Sequence, residues 1–177
     1  MDRVFEVGRA VFPGRFQPPH YGHLKAMLWA LKRARELVIV IGSAQESHTL
    51  ENPFTAGERM LMVKSMLEDS GVDMRRVYIV PVPDIEMNAV WVRYLSMLLP
   101  PFEAVVSRNP LVLRLFKEAG YRLLVPPAFQ REELVATRIR ELMLSGGNWL
   151  EYVPSSVARI VSKIGGVERI RDIARRD

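Results

Sequence analysis

The sequence predicts an α/β fold, a doubly wound parallel sheet of about five strands with further helices at its C-terminal end. Three observations carry that expectation. Short apolar runs alternate with longer stretches of helical periodicity, the pattern of strands joined by crossover helices. Helix start and stop residues fall in the gaps between those stretches. In the last third of the chain only helical segments follow.

Taken in order, the first strand is expected at residues 9–13 and its helix at 23–35. A second strand at 37–41 leads to a helix at 56–70, where Thr55 and Glu58 have the spacing of a capping box and Gly71 is the stop. The third pair is a strand at 77–82 and a helix at 89–99. The fourth is a strand at 103–107 and a helix at 111–119, with Pro110 where a missing N–H costs nothing. A fifth strand is expected at 122–125. Helices at 137–144, 155–164 and 167–176 are separated by Gly146-Gly147, Pro154 and Gly165-Gly166, and should pack on one face or edge of the sheet. With no repeat and no linker, residues 1–177 read as one domain: an α/β core (1–145) and a helical appendage (146–177).

Composition narrows the function classes. A hydrophobic share of 49% and a charged share of 25% are those of a soluble globular chain. No apolar run approaches the roughly 18 residues that span a bilayer, and residues 1–8 lack a signal peptide's apolar centre, so a cytoplasmic location is expected. The absence of cysteine excludes disulfides, a thiolate nucleophile and cysteine-ligated zinc. The net charge of +5 suits an anionic partner. The basic residues are spread along the chain, so a nucleic-acid patch, with its clustered cations and stacking aromatics, does not stand out.

The most informative segment, Gly14-Arg15-Phe16-Gln17-Pro18-Pro19-His20-Tyr21-Gly22-His23, lies between the first strand and the first helix. In an open α/β sheet such a turn sits at the carboxyl end of the strands, where ligands bind. A helix start offers backbone N–H groups and partial positive charge to a phosphate. Gly14 lets the backbone come close, Arg15 adds a permanent cation, and His20 and His23 can aim at one phosphate chain. A zinc site is disfavoured, since the one other histidine is His48 and no carboxylate is suitably spaced. Thr137-Arg138-Ile139-Arg140 is a second phosphate candidate, with Thr137 expected to cap the helix and Arg140 one turn in. Asn88 and Trp91, three apart on one helix face, offer a carboxamide partner and a stacking surface for a pyridinium ring.

His20-Tyr21-Gly22-His23 resembles the H-x-G-H signature of the nucleotidyltransferase superfamily, and the string from Gly14 to His23 is similar to that of archaeal-type nicotinamide-nucleotide adenylyltransferases. Thr137 to Arg140 stands where the superfamily has S/T-x-x-R after its last strand. Four further stretches fit in order: Gly42-Ser43-Ala44-Gln45 with Ser47-His48; Asn52-Pro53-Phe54-Thr55-Ala56-Gly57-Glu58-Arg59; Asp84-Ile85-Glu86-Met87-Asn88-Ala89-Val90-Trp91; and Asn109-Pro110-Leu111-Val112. The resemblance implies a Rossmann-like sheet and a reaction of ATP with nicotinamide mononucleotide (NMN) giving NAD and pyrophosphate. It implies catalytic roles for His20, His23, Arg15 and Arg140. ATP would be held by Gly14, Arg15, Phe16, Gln17, His20, Gly22, His23, Thr137 and Arg140. NMN would be held by Gly42, Ser43, Phe54, Ile85, Asn88, Trp91 and Asn109. Mg2+ would arrive with ATP, no protein metal site is implied, and relatives form hexamers. The chain departs from the pattern at Pro19, Glu51, Arg108 and Val135-Ala136. Nicotinate mononucleotide, flavin mononucleotide or phosphopantetheine stays open as the acceptor, because the first motif reads ATP alone. A tRNA synthetase is excluded by length.

Overall fold

The computed structural model describes residues 4–129 and 135–175. Five parallel strands, β1 (Val7–Gly14), β2 (Ala34–Ile41), β3 (Val77–Pro81), β4 (Ala104–Val106) and β5 (Arg122–Leu124), form one sheet in the order β3-β2-β1-β4-β5. The chain steps outward from β1 to β3, then crosses back to lay β4 and β5 on the other side of β1. The order reverses between β1 and β4, and a crevice opens above the carboxyl ends of the strands there.

Among the described residues seven α-helices flank the sheet: α1 (Tyr21–Leu31), α2 (Ala56–Asp69), α3 (Asn88–Leu98), α4 (Pro110–Glu118), α5 (Ala136–Ser145), α6 (Ser155–Lys163) and α7 (Gly166–Ala174). Strand side chains alternate between two faces, and two buried clusters follow. Ala10, Phe12, Leu37, Ile39, Ile41 and Val106 pack with Met27 of α1, Met62 and Met66 of α2, and Ile139, Val157, Val161 and Ile170 of the C-terminal helices. Val11, Val38, Val40 and Val105 face the other way, onto Val92 and Leu95 of α3 and Phe116 of α4. Because β2 is covered on both faces, it reads as an unbroken apolar run from Leu37 to Ile41. Within the first of these clusters α6 lies on α2, and α7 on α5 and α6.

The capping box of α2 forms as the spacing predicts: Glu58 N–H donates to Thr55 Oγ1 at 3.2 Å, and Thr55 N–H to Glu58 Oε2 at 2.9 Å. Two expectations are corrected, and part of a third lies outside the described residues. The first helix spans Tyr21–Leu31, not 23–35, because the His20 ring caps it two residues earlier and β2 begins at Ala34 to pair with Val7 of β1. Thr137 does not cap α5; the helix begins at Ala136, and its N-cap, Val135, contributes no side-chain bond. Arg176, the last residue of the seventh predicted helix, lies outside the described residues.

Candidate active site

The turn after β1 is built around a folded-back aromatic ring. Phe16 is buried with φ of 54°, and its ring lies under Gly14, where a Cβ would stand 2.7 Å from it. Only glycine fits there. Gln17 is equally buried and spends its carboxamide on the backbone of Phe54, donating to the carbonyl at 2.9 Å and accepting from the N–H at 2.9 Å. Its own carbonyl accepts from Arg140 Nη1 at 2.8 Å. That bond brings the start of α5 against the first turn, 123 residues away in sequence.

The two histidines form a capping box of their own. His20 Nδ1 accepts from Gly22 N–H at 3.1 Å, and His23 Nδ1 accepts from His20 N–H at 3.3 Å. The rings stack with centroids 3.8 Å apart, and Phe16 meets His23 edge-on. Burial pushes the His20 pKa down from 6.5 to about 4. Burial, with the neighbouring His20, holds His23 well below its ordinary value although the residue lines the crevice. Both rings are therefore neutral at pH 7. A neutral ring whose Nδ1 accepts carries its proton on Nε2, so each presents one N–H donor. At the start of α1 the Gly22 N–H is taken by the His20 ring. The start of α5 has no side-chain cap, and Val135, Ala136 and Thr137 line the crevice beside Arg140.

Arg140 is half-buried, with its pKa below the ordinary arginine range through burial and then through the charge of Arg15. Thr137 Oγ1 accepts from its Nη2 at 3.3 Å. Glu51, one of the departures, offsets part of this positive field. Arg108, another, turns aside to donate to the Pro126 carbonyl at 2.6 Å.

These groups line a cavity of about 500 Å³ that takes in Arg15, Phe16, Gln17, His20, Gly22, His23, Thr137 and Arg140. A second cavity of about 340 Å³ continues from it, sharing Pro13, Arg15, Ser107 and Asn109 and reaching Gly14, Gly42, Ser43, Asp84 and Trp91. Together they form one two-lobed cleft over the β1/β4 reversal. Trp91 is half-buried, with its ring edge-on to Phe116 at 5.8 Å. Asn109 caps α4, its Oδ1 accepting from Leu111 N–H at 2.9 Å and Val112 N–H at 3.3 Å, which leaves its amide nitrogen for the cleft.

Not every expected residue reaches the lobes. Phe54 is fully buried, packed against Gly166 of α7, and serves the cleft only through the backbone that holds Gln17. Ile85 and Asn88 lie just outside the lining of the second lobe, Ile85 half-buried and Asn88 exposed at the first position of α3. Two residues without an expected role bear on the site: Asp84, which lines the second lobe and accepts from Ser43 N–H at 3.1 Å, and Arg59, which lies buried behind the cleft wall.

Residues 11–142 match the model of the cytidylyltransferase-like family. A nicotinamide-nucleotide adenylyltransferase of Ignicoccus hospitalis is 59% identical over 96% of this chain and 99% of its own length. That of Saccharolobus solfataricus is 51% identical over 97% and 99%. Among solved structures, a bifunctional NMN adenylyltransferase/ADP ribose pyrophosphatase from Francisella tularensis superimposes with a TM-score of 0.78 at 22% identity, over 94% of this chain and 53% of that one. A Plasmodium falciparum nicotinic acid mononucleotide adenylyltransferase gives 0.62 at 11% identity, over 92% and 98%. At such identities these two likenesses show the fold. The relatives, matched over nearly their whole length, show more: the chain belongs to the nicotinamide-nucleotide adenylyltransferases of the cytidylyltransferase-like family.

Proposed function

We propose that the two-lobed cleft transfers AMP from ATP to the phosphate of NMN, giving NAD and pyrophosphate. The observation that carries this is the meeting of the first turn and the start of α5 around one cavity, tied by Arg140 Nη1 to the Gln17 carbonyl at 2.8 Å. Neutral N–H donors, two guanidiniums and an uncapped helix start converge there, a set suited to a polyphosphate.

An oxygen of the NMN phosphate attacks the α-phosphorus of ATP in line, and the bond from that phosphorus to the oxygen bridging it to the β-phosphate breaks as pyrophosphate leaves opposite. The nucleophile is already an anion, so no base and no covalent intermediate is needed; positioning and charge stabilisation remain. His20 and His23 donate from Nε2 to the α-phosphate oxygens as charge builds on them. Arg15, Arg140 and the start of α5 hold the departing pyrophosphate. The second lobe takes NMN, with the Trp91 indole against the pyridinium ring and Gly42, Ser43 and Asn109 along the wall. Ile85 and Asn88 close on the nicotinamide from the lobe's rim.

A divalent cation, Mg2+ in the cell, accompanies the triphosphate and spreads its charge. The cleft's own donors are N–H groups and guanidiniums, which suit phosphate oxygens rather than a metal, so ATP oxygens would hold the cation, which would supply further charge neutralisation. Residues 1–177 act as one nucleotidyltransferase domain in the cytoplasm. A hexamer would sediment at about six times the 20.3 kDa of one chain.

His23→Ala tests the chemical role. Losing one charge-stabilising donor should lower kcat by about 10²–10³ while the melting temperature stays near that of the wild type. Near-normal turnover by the folded variant would remove His23 from the reaction.

A further inference from the structure

Arg59 is the largest wholly buried side chain in the described structure, and nothing above gives it a task. Its guanidinium makes four hydrogen bonds, all to backbone carbonyls. Nη1 donates to Arg15 and Gly42, each at 2.7 Å, Nη2 to Ser43 at 3.0 Å, and Nε to Thr55 at 3.2 Å. Among the described residues no carboxylate comes within ion-pair distance of it. Burial lowers its pKa to about 10, which still leaves it charged at pH 7. A buried guanidinium is costly to hold unless its donors are satisfied, and here carbonyl dipoles satisfy them.

The carbonyls it chooses are informative. Arg15 borders both lobes, and Gly42 and Ser43 border the second. Arg59 thus ties the turn after β1 to the turn after β2 from behind, reinforcing the direct bond from Gly42 N–H to the Gly14 carbonyl at 2.8 Å. Ser43 has a left-handed φ of 47°, an unfavourable conformation for serine that its surroundings must enforce. Arg59 grips its carbonyl, and on the cleft side Asp84 Oδ1 takes its N–H at 3.1 Å. Asp84 is itself locked to Gln45, whose Nε2 donates to Oδ2 at 3.2 Å while its Oε1 accepts from Asp84 N–H at 3.0 Å. The Ser43 residue is clamped between a buried cation and an anion from the loop after β3.

We propose that Arg59, with Asp84 opposite it, is a positioning residue: by fixing the Arg15 and Ser43 walls relative to one another it sets the distance between the α-phosphorus of ATP and the attacking phosphate of NMN. This rests on the reading of the two lobes as the ATP and NMN sites. A lysine keeps the charge and cannot reach four carbonyls with one ammonium, so Arg59→Lys loosens the spacing without emptying the core. Each substrate still meets its own lobe; what is lost is their mutual alignment, and misplacement by about 1 Å costs roughly 10²-fold in rate.

The test is a kcat against KM split on Arg59→Lys and Asp84→Ala, with folding followed by circular dichroism and thermal melting. In folded Arg59→Lys, kcat should fall by about 10- to 100-fold while the KM for ATP and for NMN each change by less than about threefold. Asp84→Ala removes an exposed side chain and should show the same split with a smaller loss. It also decides the matter if Arg59→Lys does not fold. Wild-type kcat in whichever variants fold, or a loss carried by KM, overturns the positioning role. Wild-type protein that makes no NAD from ATP and NMN would instead sink the assignment of the lobes, so the two failures are distinct.

Discussion

His20 and His23 show how a backbone arrangement decides side-chain chemistry. Each ring accepts a backbone N–H at Nδ1, which fixes the tautomer and turns Nε2 into a donor. The pair stands out in the sequence as a phosphate candidate, from its spacing and its place after a strand, and the structure places both residues at the crevice. Its electrostatic state was not legible in the sequence, because burial by Phe16 and the neighbouring ring is a tertiary fact. A pH dependence follows. In the unfolded chain the His20 ring binds a proton near 6.5, in the folded chain only near about 4. Between those values the unfolded state takes up more protons, so stability is full above about pH 7 and falls as the solution is acidified through the window. For His20 alone the loss between pH 7.5 and pH 5 should be about 2 kcal/mol in urea unfolding. His20→Asn keeps a capping side chain and removes the titration, and should flatten much of that slope. An unchanged slope would mean that His20 is not buried as described.

At the scale of elements, the site is held by helix ends. The capping box of α2 is extended by α7: Arg169 makes paired bonds to Glu58 at 2.7 and 2.8 Å and a third to the Pro53 carbonyl at 3.0 Å. Phe54, between those partners, holds Gln17, and Gln17 holds Arg140. The C-terminal helix therefore braces the segment on which the first lobe is built. Arg169→Met breaks a mostly buried bidentate pair and leaves Glu58 without its cation, so unfolding in denaturant should show a loss of about 1–3 kcal/mol. A loss under roughly 0.5 kcal/mol would class the pair with ordinary surface ion pairs. Helix signals predicted this element well where capping was by Thr55 and Glu58 and at Pro110. They failed at Thr137, since a helix start that faces a cavity need not be capped by its own side chains. Arg59 did leave a trace: it occupies the same buried face of α2 as Met62, Val63 and Met66, where a solvated arginine has no place.

At the scale of the whole molecule, alternation of strands and helices was enough to expect a parallel sheet, while the order β3-β2-β1-β4-β5 and the crevice at its reversal came only with the structure. The same holds for the second lobe. The β2 and β4 ends bring Gly42, Ser43 and Asn109 to one cavity with Trp91, whereas Phe54 is drawn into the core by the C-terminal helices, which local sequence does not reveal. Trp91→Ala should raise the KM for NMN by about tenfold with little change for ATP, the signature of a lost stacking surface confined to one lobe. Equal weakening of both substrates would contradict the division into lobes.

The most direct measurement is label transfer. With ATP carrying a labelled α-phosphate, NMN and Mg2+, the label is expected in NAD, with one pyrophosphate released for each NAD formed. Label that stays in ATP, or leaves as free AMP or ADP with no NAD, would contradict adenylyl transfer by this cleft.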